Sequence, residues 1–137
     1  MLGTNEEQVT EFIEKLYGRG DESAVALCNL TSLGVDAIPF VAAAYDREQS
    51  SEHRVAIVHA LREFRDPAAL PTLAAALRDS EERVWKEALD GIVVLGGSPA
   101  VGVLQGARED VGPFKDAEER REWIDEALEQ LKEATLG

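Results

Sequence analysis

The chain has 137 residues, 45% of them hydrophobic and 30% charged, which suits one domain with a core of its own. Its 27 acidic and 14 basic residues leave a formal net charge of −13. Such a polyanion repels phosphate backbones and anionic bilayers, so the expected partner is neither nucleic acid nor a membrane.

The acid is uneven. Residues 1–34 carry six acids and two bases, 35–108 carry eleven and eight, and 109–137 carry ten and four. The charge serves either as a solubility device or as an acidic face matched to a basic protein. A single cysteine, Cys28, allows no internal disulfide, and its setting in "AVALCNL" predicts a buried, inert thiol. The start "MLGTNEEQVTEF" lacks the apolar segment of a secretory signal, and no stretch reaches the roughly 18 apolar residues of a membrane span. A cytoplasmic protein, monomeric when free, is expected.

Eight helices follow in chain order, paired antiparallel. Asn5 caps the first, which shows Val9, Phe12, Ile13 and Leu16 on one face before Gly18 and Gly20. Asp21 caps the second, with Ala24, Leu27, Leu30 and Leu33 apolar and Gly34 as its stop. Asp36 opens the third, with Ile38, Val41, Ala42 and Tyr45. After the polar run "DREQSS", Ser50 or Ser51 caps a fourth that turns Ile57, Val58, Leu61 and Phe64 inward. Asp66-Pro67 starts the fifth, with Leu70, Leu73, Ala74 and Leu77. Asp79 or Ser80 caps the sixth, which runs through Val84, Ala88, Leu89, Ile92 and Leu95 to Gly96-Gly97. Ser98-Pro99 restarts the pattern with Val101 and Leu104, and a long last helix from about Ala117 carries Ile124, Ala127, Leu128 and Leu131.

These helices share a period of 31 residues: Leu30, Leu61 and Ile92; Leu33, Phe64 and Leu95; Leu27, Val58 and Leu89; Ala26, Ile57 and Ala88. Four series in one register predict a stack of similar units, about 5–34, 36–65, 67–97 and 98–135, within a single domain over 1–137. The fold class is all-α, an α-solenoid of four antiparallel helix pairs. In the last unit Ile124, Leu128 and Leu131 answer Ala88, Ile92 and Leu95 at a separation of 36, which places an insertion at 109–116. That segment, with Gly112, Pro113 and an exposed-looking Phe114, is either a binding loop or a cap folded over the last pair. Pro39 and Pro71 fall in first helical turns, where an absent N–H breaks no interior bond.

The runs "DPAALPTLAAALRD" and "SEERVWKEALDGIVVLGG" resemble HEAT repeats, in particular the short bacterial type similar to those of phycobilin lyases. Residues 66–97 carry most of this resemblance, 35–65 and 98–135 carry it more loosely, and 1–34 mainly by register. The inner-helix arginine that the resemblance implies maps to Arg54 and Arg121 but to Trp85 in the best unit, where a tryptophan is either a core substitution or an exposed anchor. The 34-residue period and Trp-Leu-Gly-Tyr pattern of tetratricopeptide repeats are absent.

Catalytic chemistry is poorly supported. His53 and His59 stand six apart, roughly opposite on a helix, with His53 at a core register and His59 toward solvent. HEAT-repeat hydroxylases that hold iron use several His-Glu pairs, whereas this chain has one "EH", in the wrong order. Most of the paired carboxylates sit in first helical turns, where the helix dipole favours acids. No zinc spacing, phosphate loop or nucleophile grouping is present, and no cofactor or metal is expected.

What remains is surface. The solvent positions of the second helix of each pair repeat as Ala56/Glu87, His59/Asp90/Glu126 and Arg62/Val93/Glu129, a strip that turns acidic toward the last helix. Trp85 neighbours it, Phe114 adds the insertion, and Trp123 lies toward the outer cap. The partner-binding candidates are therefore Trp85, Glu87, Asp90, Val93, His59, Arg62, Phe114, Glu126 and Glu129, facing a basic protein. The expected role is a non-enzymatic interaction module such as an immunity protein or antitoxin, a scaffold of a larger complex, or a phycobilin-lyase-like accessory.

Overall fold

The computed structural model describes residues 5–110 and 112–136, with side chains through residue 134. The first four residues, on which the reading of the N-terminus partly rests, lie outside the described residues, as do Val111 of the insertion and Gly137. Among the described residues eight α-helices follow one another: α1 (Glu6–Leu16), α2 (Asp21–Ser32), α3 (Ile38–Arg47), α4 (Ser51–Phe64), α5 (Leu70–Ala76), α6 (Glu82–Leu95), α7 (Gly97–Glu109) and α8 (Ala117–Leu136). Short 3₁₀ turns, Val35–Ala37 and Pro67–Ala69, lead into α3 and α5. Consecutive helices pair, and the pairs stack through α2, α4, α6 and α8, with α4 on α6 the most extensive interface. The fold is an α-solenoid. Among the described residues no single helix is long and apolar enough to cross a membrane.

The repeated skeleton is the core. Leu30, Leu61 and Ile92 are fully buried, as are Ala26, Ile57 and Ala88 to within 1%. Leu33, Phe64 and Leu95 are all half-buried at the helix ends. One hydrophobic cluster thus runs from Val9 in α1 to Leu131 in α8. Each buried leucine or isoleucine contributes about 1.5–3 kcal/mol, so the same position in successive pairs stabilises each inter-pair seam alike. Gly91 lets α6 pack closely on its neighbours: a Cβ there would meet both Leu73 methyls at 3.2 Å and the Arg62 Cβ at 3.3 Å, so a larger residue would need those side chains to shift by a few tenths of an ångström.

Caps follow the local chemistry, with corrections. Asn5 Oδ1 accepts from the Gln8 N–H at 2.8 Å, Ser50 Oγ from His53 at 3.4 Å, and Asp66 Oδ1 from Ala68 at 2.8 Å. Asp21 does not cap α2: Gly20, at φ +58°, holds that position, and Asp21 sits in the first turn, where the dipole favours its charge. Asp36 lies inside the 3₁₀ turn, and neither Asp79 nor Ser80 caps α6: Glu81 holds that position without a side-chain cap bond, and Asp79 accepts from the Glu81 N–H at 2.9 Å in the turn before it.

Two buried assignments fail on α2. Ala24 and Cys28 are exposed, because the helix turns Ala26 and Leu30 inward and a residue two positions from either points about 200° away.

Candidate interaction surface

The turn inside each helix pair carries an acid that the preceding pair grips. Tyr17 at the end of α1 donates its hydroxyl proton to Glu48 Oε1 at 3.3 Å, and Tyr45 at the end of α3 donates to Asp79 Oδ2 at 2.8 Å. In α6, Trp85 Nε1–H donates to Asp116 Oδ2 at 3.0 Å. Burial and the bond to an acid push both tyrosine hydroxyls well above their usual pKa. Burial opposes ionisation of Asp79, but hydrogen bonds from Arg54, the Glu81 N–H and Tyr45 outweigh it and hold the carboxyl below its usual range. Asp116 is lowered against the same burial cost by Arg120 and Trp85.

Arg54 Nε and Nη2 reach Asp79 at 2.8 and 3.3 Å, and Nη1 reaches the Gln49 carbonyl at 2.8 Å. Trp85, one period on, makes the equivalent bond to the next turn acid with its indole. The tryptophan is 1% exposed, a core residue and not a docking anchor. The arginine brought to the last seam is Arg120, while Arg121, where the register pointed, is exposed. Arg120 is 2% exposed, donates to the carbonyls of Leu77 and Asp79 at 2.8 and 2.6 Å, and bonds Asp116 Oδ1 at 2.8 Å. Phe114 lies half-buried beneath it, ring centre 3.9 Å from the guanidinium carbon. The described part of the insertion is thus a cap over the last seam, and Phe114 leaves the docking set because its ring face is already covered.

The inner-helix strip divides in two. At its α4 end the charges neutralise one another: Glu87 Oε1 lies 2.7 Å from His59 Nδ1 and 3.1 Å from Arg62 Nη1. The hydrogen bond with His59 comes first among the causes that lower the Glu87 pKa and raise that of the imidazole. At the α6–α8 end Asp90, Glu126 and Glu129 are exposed and Val93 is half-buried, and among the described residues Asp90 and Glu126 enter no salt bridge. Burial, with the neighbouring Glu87 charge adding to it, raises the Asp90 pKa despite Arg62. Asp90, Val93, Trp123, Glu126 and Gln130 line a groove of about 150 Å³ floored by Leu89 and Ala127.

Trp123, 39% exposed, is the member that sequence reading assigned elsewhere. It packs edge-on to Trp85, centroids 6.2 Å apart, and Lys86 Nζ sits 4.4 Å over its ring. Its place three residues before Glu126, hence on the same helix face, was the available signal. His53 also departs from expectation: it lies at the entry of α4, 41% exposed, stacked 3.7 Å from the Tyr17 ring and 3.6 Å from Glu48.

The family model for HEAT repeats matches residues 21–93 and, overlapping them, 38–129. This chain belongs to the HEAT repeat family. A solved structure of human deoxyhypusine hydroxylase in complex with glycerol superposes with a TM-score of 0.69 at 23% identity, over 96% of this chain and 46% of that one. The chain therefore spans less than half the length of that neighbour, and the likeness shows the HEAT-type fold alone. None of the curated proteins matches the chain. Among the described residues no three His, Cys, Asp or Glu side chains converge as metal ligands. His59 is turned to Glu87 and His53 is stacked on Tyr17.

Proposed function

We propose that this HEAT repeat chain is a non-enzymatic interaction module that captures a basic protein through its inner-helix strip. HEAT repeats are commonly protein-interaction modules, and the single observation that carries the finer reading is the division of the strip. Half of it neutralises itself through His59, Arg62 and Glu87, while among the described residues Asp90 and Glu126 enter no salt bridge and stand beside an exposed indole. With a net charge of −13 behind it, that end draws a cationic surface in by long-range attraction and repels polyanions. The specific role we favour is inhibition: an immunity protein or antitoxin that masks a basic toxin, such as a nuclease whose own positive face serves to bind nucleic acid.

A pull-down from native lysate at low and high salt tests this. The retained protein should be basic, should be released as salt rises, and should lose its activity when this chain is added. Retention indifferent to salt, or of an acidic partner, would refute the reading.

A further inference from the structure

The α6–α8 groove is too small for an ordinary small-molecule site. At about 150 Å³ it falls below the ~300–1,000 Å³ of drug-sized ligand pockets, and it suits one extended side chain. Its walls are of two kinds. Trp123 and Val93 offer apolar surface, and Asp90, Glu126 and Gln130 offer acceptor oxygens. Part of the Trp123 ring is already taken by Lys86, 4.4 Å from its centroid, and the rest of the indole lines the groove. That ammonium is held from its other side by Glu82 and Glu119, and so belongs to the fold.

We propose that this groove is the pocket for one arginine side chain of the basic partner, its methylenes on Val93 and Trp123 and its guanidinium between Asp90 and Glu126. The proposal rests on the reading of the chain as a binder of basic proteins and names the contact that reading would use. Charge complementarity selects a cation, and three features of the groove select arginine. Its planar fork bonds two carboxylates at once, its flat face stacks on an indole, and its weaker hydration lowers the cost of entering a half-buried site. A lysine ammonium satisfies the charge but offers no plane to the tryptophan. Nucleic acid is refused by the same carboxylates. Asp90 gains most, because an incoming cation adds to the partial relief that Arg62 already gives it against burial and the Glu87 charge.

The test uses the ¹⁵N-labelled full chain, whose two tryptophans give two indole N–H resonances assigned with Trp123→Phe. Hexa-arginine, hexalysine and hexacitrulline peptides serve as probes. Hexa-arginine should shift the Trp123 resonance saturably while that of Trp85 stays nearly still, hexalysine should bind about threefold or more weakly, and hexacitrulline should not bind. Asp90→Asn with Glu126→Gln should weaken hexa-arginine about tenfold at a Tm no lower than the parent's. Salt-dependent binding that leaves the Trp123 resonance unmoved, or that the double variant retains, overturns the pocket and leaves the general reading standing. Equal affinity for hexalysine in the groove overturns the choice of arginine. Failure of every cationic peptide and of basic proteins to bind overturns both.

Discussion

Arg54 and Trp85 do the same work one period apart. Each reaches from the second helix of its pair to the acid in the turn of the next, Arg54 to Asp79 and Trp85 to Asp116. The indole delivers one hydrogen bond where the guanidinium delivers two, and Arg120 supplies the rest by bonding Asp116 and the carbonyls of the preceding turn. The last seam therefore divides between two residues what one arginine does at the seam before it.

If that division is correct, Trp85 and Asp116 are energetically coupled. In a double-mutant cycle of Trp85→Phe and Asp116→Ala, followed by urea denaturation, the coupling should fall at about 0.5–3 kcal/mol. Trp85→Ala should cost about 3–5 kcal/mol, as expected for a buried tryptophan. A loss under about 1 kcal/mol would place the ring at the surface.

Arg120 and Arg121 should behave oppositely although adjacent. Arg120→Met strands two carbonyls and takes from Asp116 its charged partner, leaving it the Trp85 indole, and should cost about 3–5 kcal/mol. Arg121→Ala, at an exposed position, should stay within about 0.5 kcal/mol. Chemical denaturation of both variants decides it.

The His59–Glu87 pair makes stability depend on pH in a definite direction. The histidine pKa is raised from 6.5, so its contribution is complete below about pH 6.5 and is lost as pH rises through the raised value. The Glu87 pKa is lowered from 4.5, so its contribution is complete above about pH 4.5 and is lost as pH falls through the lowered value. The pair stabilises most between those limits. Denaturation midpoints near pH 5.5 and pH 8.5 should show the parent losing more than His59→Gln on going to alkaline pH. The effect should be modest, since the imidazole is 44% exposed.

Asp90 should trade stability for binding. Its raised pKa means that at neutral pH its charge is better tolerated by the unfolded chain, so Asp90→Asn should raise Tm slightly. The same variant should weaken a basic partner. A lower Tm would show that the carboxylate has a structural partner within the fold.

Cys28 offers a direct check on α2. Being exposed, it should react with an aromatic disulfide reagent in the native chain, one equivalent per molecule and without denaturant. Protection until unfolding would put the thiol in the core.

The repeat architecture was legible in the sequence because helix periodicity and core burial are both properties of side-chain spacing. Residues such as Leu30, Leu61 and Ile92 must face inward whatever their rotamers, and Asn5, Ser50 and Asp66 cap through bonds to amides two or three residues away. The candidate surface was legible only in part. Asp90, Val93 and Glu126 come from the same spacing, but their company does not. Trp85 is buried because Asp116, 31 residues on, meets its indole, and Phe114 is covered because Arg120 rather than Arg121 turns inward. Trp123 stands open over the groove because Trp85 already fills the core beside it. A 31-residue rhythm of apolar side chains determined the solenoid by itself, since burial of one face needs only the period. Which aromatic residue was left facing solvent was decided by polar contacts between helix pairs, whose partners come together only after the stack has formed.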